Sequence, residues 1–350
     1  MVARMGGNEF AVLLQGADAA AAHEVARRIH RSFEEPLVFE DQSVDLSAGI
    51  GTACWPDDAD DADTLLSRSE IAMYAAKRQL SGALRYDPGF DLASAQTLSL
   101  LSELRRAVEH NELRLYLQPK VALHGQPGLA AEALVRWQHQ QRGLVPPMHF
   151  IPFAEQTGFV RQLTLWVFEE VARLLASPQA RHLPLRVSVN LSTRDLLDPE
   201  LSTRLAGILA RHGVQASAFC LEITESAIMD DPQRAEAMLN RLAQQGFRLS
   251  IDDFGTGYSS LAYLRRLPVQ ELKIDKSFVM GMQSAEGDAM IVRSTIDLAH
   301  NLGLSVVAEG VESADILEHL RRLQCDEAQG YHISRPLPLD DYLAWQARQA

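Results

Sequence analysis

The residue types that could do chemistry centre on one stretch, LSIDDFGTGYSSLAYL at positions 249–264. An apolar run, Leu249-Ser250-Ile251, ends in two adjacent carboxylates, Asp252 and Asp253, and then Gly255 and Gly257 lead into a helical pattern. The order reads as strand, acidic strand end, glycine turn and helix. Two neighbouring carboxylates repel each other unless a cation lies between them. A solvated strand end with an N-cap Asp would explain one such pair by itself. The same pattern recurs, however. Apolar runs end in Glu132, in Asn190, in Glu222 with Glu225, in Lys273 with Asp275, in Glu309 with Glu312, and in Gln329. Gathering so many carboxylates at one place costs electrostatic energy, and bound cations would offset it.

The ligand types narrow the cation. The set offers oxygen and neither His nor Cys, which favours Mg²⁺ or Mn²⁺ over zinc. Enough carboxylates are present for two ions, a pairing that activates water and stabilises charge on a phosphodiester. Calcium takes longer distances and more ligands, so it is expected to fill such a site and inhibit. Lys273, the cation in the set, reads either as a salt-bridge partner of Asp253 or as the group that orients an attacking water and faces the developing negative charge.

These residues need a frame that brings distant strand ends together. From residue 113 onward, apolar strands alternate with helical patterns: LRLYLQPKV, LAAEALVRW, the helix 162–176, LRVSVNLS, the helix 200–212, FCLEITES, the helix 232–245 and RLSIDDF. A short helix over 260–266 leads to ELKIDKSF, the helix 288–302, LSVVAEGVE, the helix 314–323, EAQGYHIS and a closing helix over 339–346. Repeated strand–helix units at this spacing argue for an α/β fold with a parallel, TIM-like (β/α)8 barrel. In such a barrel these polar residues share the C-terminal rim, where active sites form.

The remaining sequence sets bounds. With 350 residues, 47% hydrophobic and 23% charged, the chain is of ordinary globular composition and long enough for two domains. A net charge of −13 disfavours binding to a nucleic acid polymer. No run reaches membrane-spanning length and no secretory signal opens the chain. Three widely spaced cysteines, Cys54, Cys220 and Cys325, fit a reducing cytoplasm better than a disulfide framework.

Ahead of the barrel, GGNEF at 6–10 marks a tight turn and a strand; a helix over 19–33, a strand over 44–51 and a helix over 62–79 follow. With SAGIGTACWP and SEIAMYAAKR, this resembles the C-terminal half of a GGDEF domain, the diguanylate cyclase fold, an incomplete α+β piece over residues 1–87. Asn8 stands where that motif usually carries an acid, and the chain starts just before the motif, so cyclase activity is not expected. Pro88, Gly89 and several Ser and Ala place a linker over 88–98, ahead of a second domain over 99–350.

That second domain resembles an EAL domain, the phosphodiesterase that opens cyclic di-GMP to linear pGpG. Motifs in the family's order carry the likeness: EAL as Glu132-Ala133-Leu134, then VRW, FIPFAEQTG, VNLS, LEITES, IDDFGTGYSSL, LKIDKSF, VVAEGVE and QGYHISRPL. The resemblance implies metal ligation by Glu132, Asn190, Glu222, Asp252, Asp253 and Glu309. It implies that Asp253 and Lys273 hold the nucleophilic water, with Glu309 as a catalytic candidate beside them. It implies further that Gln118, Leu134, Arg136, Asp275, Glu312 and Gln329 contact substrate or support the site, that Glu225 anchors the loop after Asp253, and that the chain pairs as a homodimer. The rival readings are a receptor that holds cyclic di-GMP without cutting it and a generic metal-dependent barrel lyase or aldolase.

Overall fold

The computed structural model describes all residues except 7–8, 34–36, 40–41, 45–47, 80–81, 91–102, 126–127, 256–260, 284–285 and 349–350. Asn8, Gly257 and most of the expected linker lie outside the described residues. The chain divides into two compact units, Met1–Ser102 and Glu103–Ala350.

The first unit holds two antiparallel hairpins, β1 (Val2–Gly6) with β2 (Glu9–Val12) and β3 (Leu37–Phe39) with β4 (Gln42–Val44). A parallel pair, β5 (Ile50–Thr52) with β6 (Ala83–Arg85), carries the helices α1 (Ala19–Arg31) and α2 (Ala62–Gln79). The expected strand over 44–51 is described only as the end of β4 and the start of β5. Gly51 is required where it stands, because a Cβ there would lie 2.0 Å from the Ser69 carbonyl oxygen of α2.

The second unit opens with a helix, α3, over residues 103–109 and then builds one nine-stranded sheet. In chain order its strands are β7 (Leu113–Ala122), β8 (Leu129–His139), β9 (Gly143–Val145), β10 (Leu185–Leu191), β11 (Phe219–Thr224), β12 (Arg248–Phe254), β13 (Glu271–Ile274), β14 (Ser305–Ala308) and β15 (Glu327–Ala328). Pairing of β10 with β8 closes the ring, and β9 extends β8 outside it, so eight strands form the barrel. The strand–helix alternation predicted from sequence holds from β10 onward.

One strand departs from the parallel expectation: β7 runs antiparallel to both β8 and β15. The physical reason is the connection. Only residues 123–128 join β7 to β8, and a parallel pair needs a crossover of roughly a dozen residues or more. The last strand is also shorter than EAQGYHIS suggests, since the chain turns after Ala328.

Around the ring lie α4 (Ile151–Thr157), α5 (Val160–Ala176), α6 (Thr193–Leu196), α7 (Leu201–His212), α8 (Glu225–Asp230), α9 (Pro232–Gln244), α10 (Leu261–Leu264), α11 (Lys276–Gly281), α12 (Glu286–Asn301), α13 (Ala314–Arg322) and α14 (Leu339–Ala347). Side chains alternate along each strand. On β11, Phe219, Leu221 and Ile223 are buried, and Phe219 stacks on Phe168 of α5 with ring centroids 4.2 Å apart. Glu222 between them is fully buried with the polar residues Lys120, Ser188, Ser250 and Glu271 of neighbouring strands. The outer layer thus holds the helices by apolar burial, while the barrel axis is polar.

Candidate active site

The rim cluster forms because inward positions of successive strands fall level. Asn190 on β10 pairs in register with Glu222 on β11, and Glu222 with Ser250 on β12. On the antiparallel β7, Gln118 lies opposite Glu132 of β8. Strict alternation would send Asp252 and Asp253 to opposite faces. Instead the register between β12 and β13 shifts between Ile251 and Phe254, and Asp253 takes a left-handed φ of 52°. Such a bulge re-aims a side chain, and Asp tolerates this conformation better than most residues. Asp252, Asp253 and Glu309 consequently offer carboxylate oxygens that all lie within 4.8 Å of one another.

Lys273 on β13 ties the cluster together. Its Nζ lies 2.5 Å from Glu309 Oε1, 2.8 Å from Glu222 Oε2, 3.0 Å from Asp252 Oδ2 and 3.9 Å from Glu132 Oε2. Its side chain is only 1% exposed. One ammonium cannot balance so many acids in a buried setting. Burial raises the Asp252 carboxyl well above its ordinary range, against Lys273, and Glu309 and Glu222 push it the same way. Burial likewise raises Glu309 and Asp253, the latter helped by Asp275. Glu222 behaves oppositely: burial raises it, but Lys120 and Lys273 outweigh that and hold it down to about 2.

The amide side chains complete the wall. Asn190 Nδ2 donates to Glu132 Oε1 at 2.8 Å, and Gln329 Nε2 donates to Glu132 Oε2 at 2.6 Å and to Gln118 Oε1 at 3.2 Å. Gln118 Nε2 in turn donates to the Ser334 carbonyl at 3.2 Å. Arg136, half-buried on the long β8, lies over the Tyr116 ring at 5.7 Å. Leu134 is partly exposed two residues before it. Asp275 caps α11, accepting from Ser277 N at 2.9 Å, and interacts with Asp253. Glu225 is buried at the start of α8, and its Oε2 accepts from Gly255 N at 3.2 Å, which holds the chain just beyond Asp253. Glu312 stands apart, exposed on the segment between β14 and α13.

The structure therefore brings together Glu132, Asn190, Glu222, Asp252, Asp253, Lys273, Glu309, Gln118 and Gln329, with Asp275 and Glu225 adjoining. It also brings in a residue that the sequence reading passed over. Lys120 on β7 is fully buried, with Nζ 2.6 Å from Glu222 Oε1. In LRLYLQPKV it reads as a cation at the end of an apolar strand. Alternation puts it on the same inward face as Gln118, and the antiparallel course of β7, which its short connection could have signalled, sets it below the rim. The donor set is all oxygen, and an ammonium already stands among four carboxylates, so the cluster suits hard divalent cations.

Comparison with known proteins identifies the family and the fold. Residues 101–336 match the EAL domain, and residues 1–82 match the diguanylate cyclase, GGDEF domain. The bifunctional diguanylate cyclase/cyclic di-GMP phosphodiesterase MucR of Pseudomonas aeruginosa is 38% identical over 345 residues, which is 98% of this chain and 50% of that protein. The cyclic di-GMP phosphodiesterase PdeR of Escherichia coli is 34% identical over 349 residues, 99% of this chain and 53% of that protein. The chain thus spans about half the length of these relatives. A solved structure of the PaMucR phosphodiesterase in complex with c-di-GMP superimposes with a TM-score of 0.66 at 41% identity, covering 69% of this chain and 99% of that one.

Proposed function

This chain belongs to the EAL domain family, and from that premise we propose that it hydrolyses cyclic di-GMP to linear pGpG with the help of two Mg²⁺ or Mn²⁺ ions. The observation that carries the proposal is the convergence of Glu132, Glu222, Asp252 and Glu309 on Lys273, with Asp253 bulged into the same rim. Glu132, Asn190, Glu222, Asp252, Asp253 and Glu309 would hold the ions. Bound there, such ions make water more acidic and offset charge on a phosphodiester.

The chain's own groups do the rest. Asp253 orients the attacking water, and Asp275 beside it fixes its carboxyl. Lys273 faces the negative charge that grows on the phosphoryl oxygens, a task suited to a cation held rigidly out of solvent. Glu309, 2.5 Å from Lys273 and within 4.8 Å of Asp253, is the carboxylate proposed to take a proton from the water. Arg136, Leu134, Gln118 and Gln329 are proposed to line the substrate's bed and Glu312 to reach substrate from the exposed segment after β14, and Glu225 steadies the backbone that follows Asp253. The three cysteines are free, which fits a reducing cytoplasm, and we place the enzyme there as a homodimer. Among the described residues no helix is long and apolar enough to cross a membrane.

Incubation of the chain with cyclic di-GMP and Mg²⁺, with detection of pGpG, tests the proposal. Binding without cleavage would make it a receptor. Failure to bind or cleave cyclic di-GMP would turn the reading toward a lyase or aldolase on the same barrel. Residues 1–87 are proposed to make no cyclic di-GMP from GTP, because Asn8 replaces an acid of the motif. Product from GTP would refute that.

A further inference from the structure

Below the rim a second set of charges runs down the barrel axis, and the reaction as proposed does not use it. Lys120 Nζ lies 2.6 Å from Glu222 Oε1, 2.8 Å from Ser188 Oγ and 3.4 Å from Glu271 Oε1. Glu271 is also 3.3 Å from Arg186, which reaches Glu327 at 2.7 Å. The side chains of Lys120, Glu222 and Glu271 are at most 1% exposed.

Two readings compete. In the plainer one, Lys120 only neutralises buried acids. The distances favour more. Glu271 has a second cation, Arg186, and lies farther from Lys120 than Glu222 does. The other cation on Glu222, Lys273, is divided among four carboxylates of the rim. Lys120 therefore supplies the ion pair on Glu222 that no rim acid shares, and it grips one oxygen of that carboxylate from beneath. Partners that orient a metal-binding side chain from behind typically change affinity or activity by about 10–100-fold when removed.

We propose that Lys120 is the positioning residue of the site: it fixes the Glu222 carboxylate from the closed side of the barrel and so sets the orientation in which Glu222 meets a divalent cation. The inference rests on the phosphodiesterase reading for its kinetic consequence, though not for its binding consequence. Lys120 also carries a positive charge toward the site, so its simple deletion mixes two effects of opposite sign. The double variant K120M/E271Q removes one cation and one anion, keeps the net charge of the axis, and isolates the lost grip on Glu222.

The test is calorimetric titration of the full chain with Mn²⁺, paired with single-turnover opening of cyclic di-GMP. For K120M/E271Q the expected result is Mn²⁺ affinity lower by about 10–100-fold. The rate should fall by a similar factor and climb again with added Mn²⁺ over a range where the parent is saturated. Cyclic di-GMP binding in saturating Ca²⁺ should stay at the parent level. A folded double variant with parental Mn²⁺ affinity overturns the proposal. So does a slower variant that added Mn²⁺ does not rescue, because that marks general damage. Ser188→Ala keeps every charge and removes the hydroxyl beside Lys120 Nζ. Should the double variant fail to fold, Ser188→Ala decides: weaker Mn²⁺ binding supports the grip, and parental binding overturns it. A parent that binds Mn²⁺ but forms no pGpG would sink the phosphodiesterase reading and leave the Mn²⁺ comparison to judge Lys120.

Discussion

The two ends of the barrel axis use the same residue types and reach opposite electrostatic balances. At the lower end Glu271 and Glu327 meet Lys120 and Arg186, so acids and bases answer one another within the protein. At the rim Glu132, Asp252 and Glu309 share one ammonium, Lys273, and Asp253 adds a further carboxylate beside Asp252 and Glu309. Glu222 lies between the two, held by a lysine from each side. A buried cluster that balances itself supports architecture, and one that is short of positive charge has a place for cations from outside. Burial lifting Asp252, Asp253 and Glu309 while Glu222 stays low marks where the shortage begins.

The contrast can be broken most forcefully at the rim. Glu132→Ala should abolish turnover and weaken Mn²⁺ binding, since it removes a carboxylate that Asn190 and Gln329 hold in place. Hydrolysis near the parental rate would remove Glu132 from the metal set. Lys273→Ala should slow single-turnover cleavage by about 10²–10³-fold, the usual loss for one preorganised electrostatic partner. Cyclic di-GMP affinity measured in Ca²⁺ should survive better than the rate; parallel losses would mean that Lys273 binds the ground state.

Below Lys120, at the Arg186–Glu327 pair, the expected effect moves from rate to stability. Arg186→Met leaves Glu327 and Glu271 with less positive charge. Loss of a partner from a buried pair costs about 3–5 kcal/mol, and the partial exposure of Arg186 and Glu327 should bring this to about 2 kcal/mol. Denaturant unfolding should register that loss while turnover per folded molecule barely changes. A large fall in turnover at unchanged stability would erase the distinction between the two ends. The smallest effect belongs to the outer surface. Arg266→Ala breaks an exposed pair with Glu236 at 3.2 Å and should cost about 1 kcal/mol or less in the same unfolding experiment.

Much of this was legible from the sequence because apolar period and strand-end chemistry are local signals. The helix expected over 162–176 is Val160–Ala176, and that over 200–212 is Leu201–His212. The acids at the strand ends were visible for the same reason. The direction of β7 was not visible, because an apolar strand reads alike in either sense and only the shortness of the six-residue connection after it signals the turn back. Lys120 was missed as a consequence, since its partners come from β10, β11 and β13, at least 68 residues away. The meeting of Asp252 with Asp253 depends on one left-handed residue that no periodicity announces. The helix expected over 260–266 is reduced to Leu261–Leu264 among the described residues.

The most direct test of an acid-rich rim that needs outside cations is a paired assay on the chain as it stands. Cyclic di-GMP is incubated with the protein after chelation, and then with Mg²⁺, Mn²⁺ or Ca²⁺ restored, and pGpG is measured in each case. We expect no product after chelation, product with Mg²⁺ or Mn²⁺, and little with Ca²⁺, which fills oxygen sites at longer distances. Hydrolysis that persists after chelation, or runs equally well in Ca²⁺ and Mg²⁺, would contradict it.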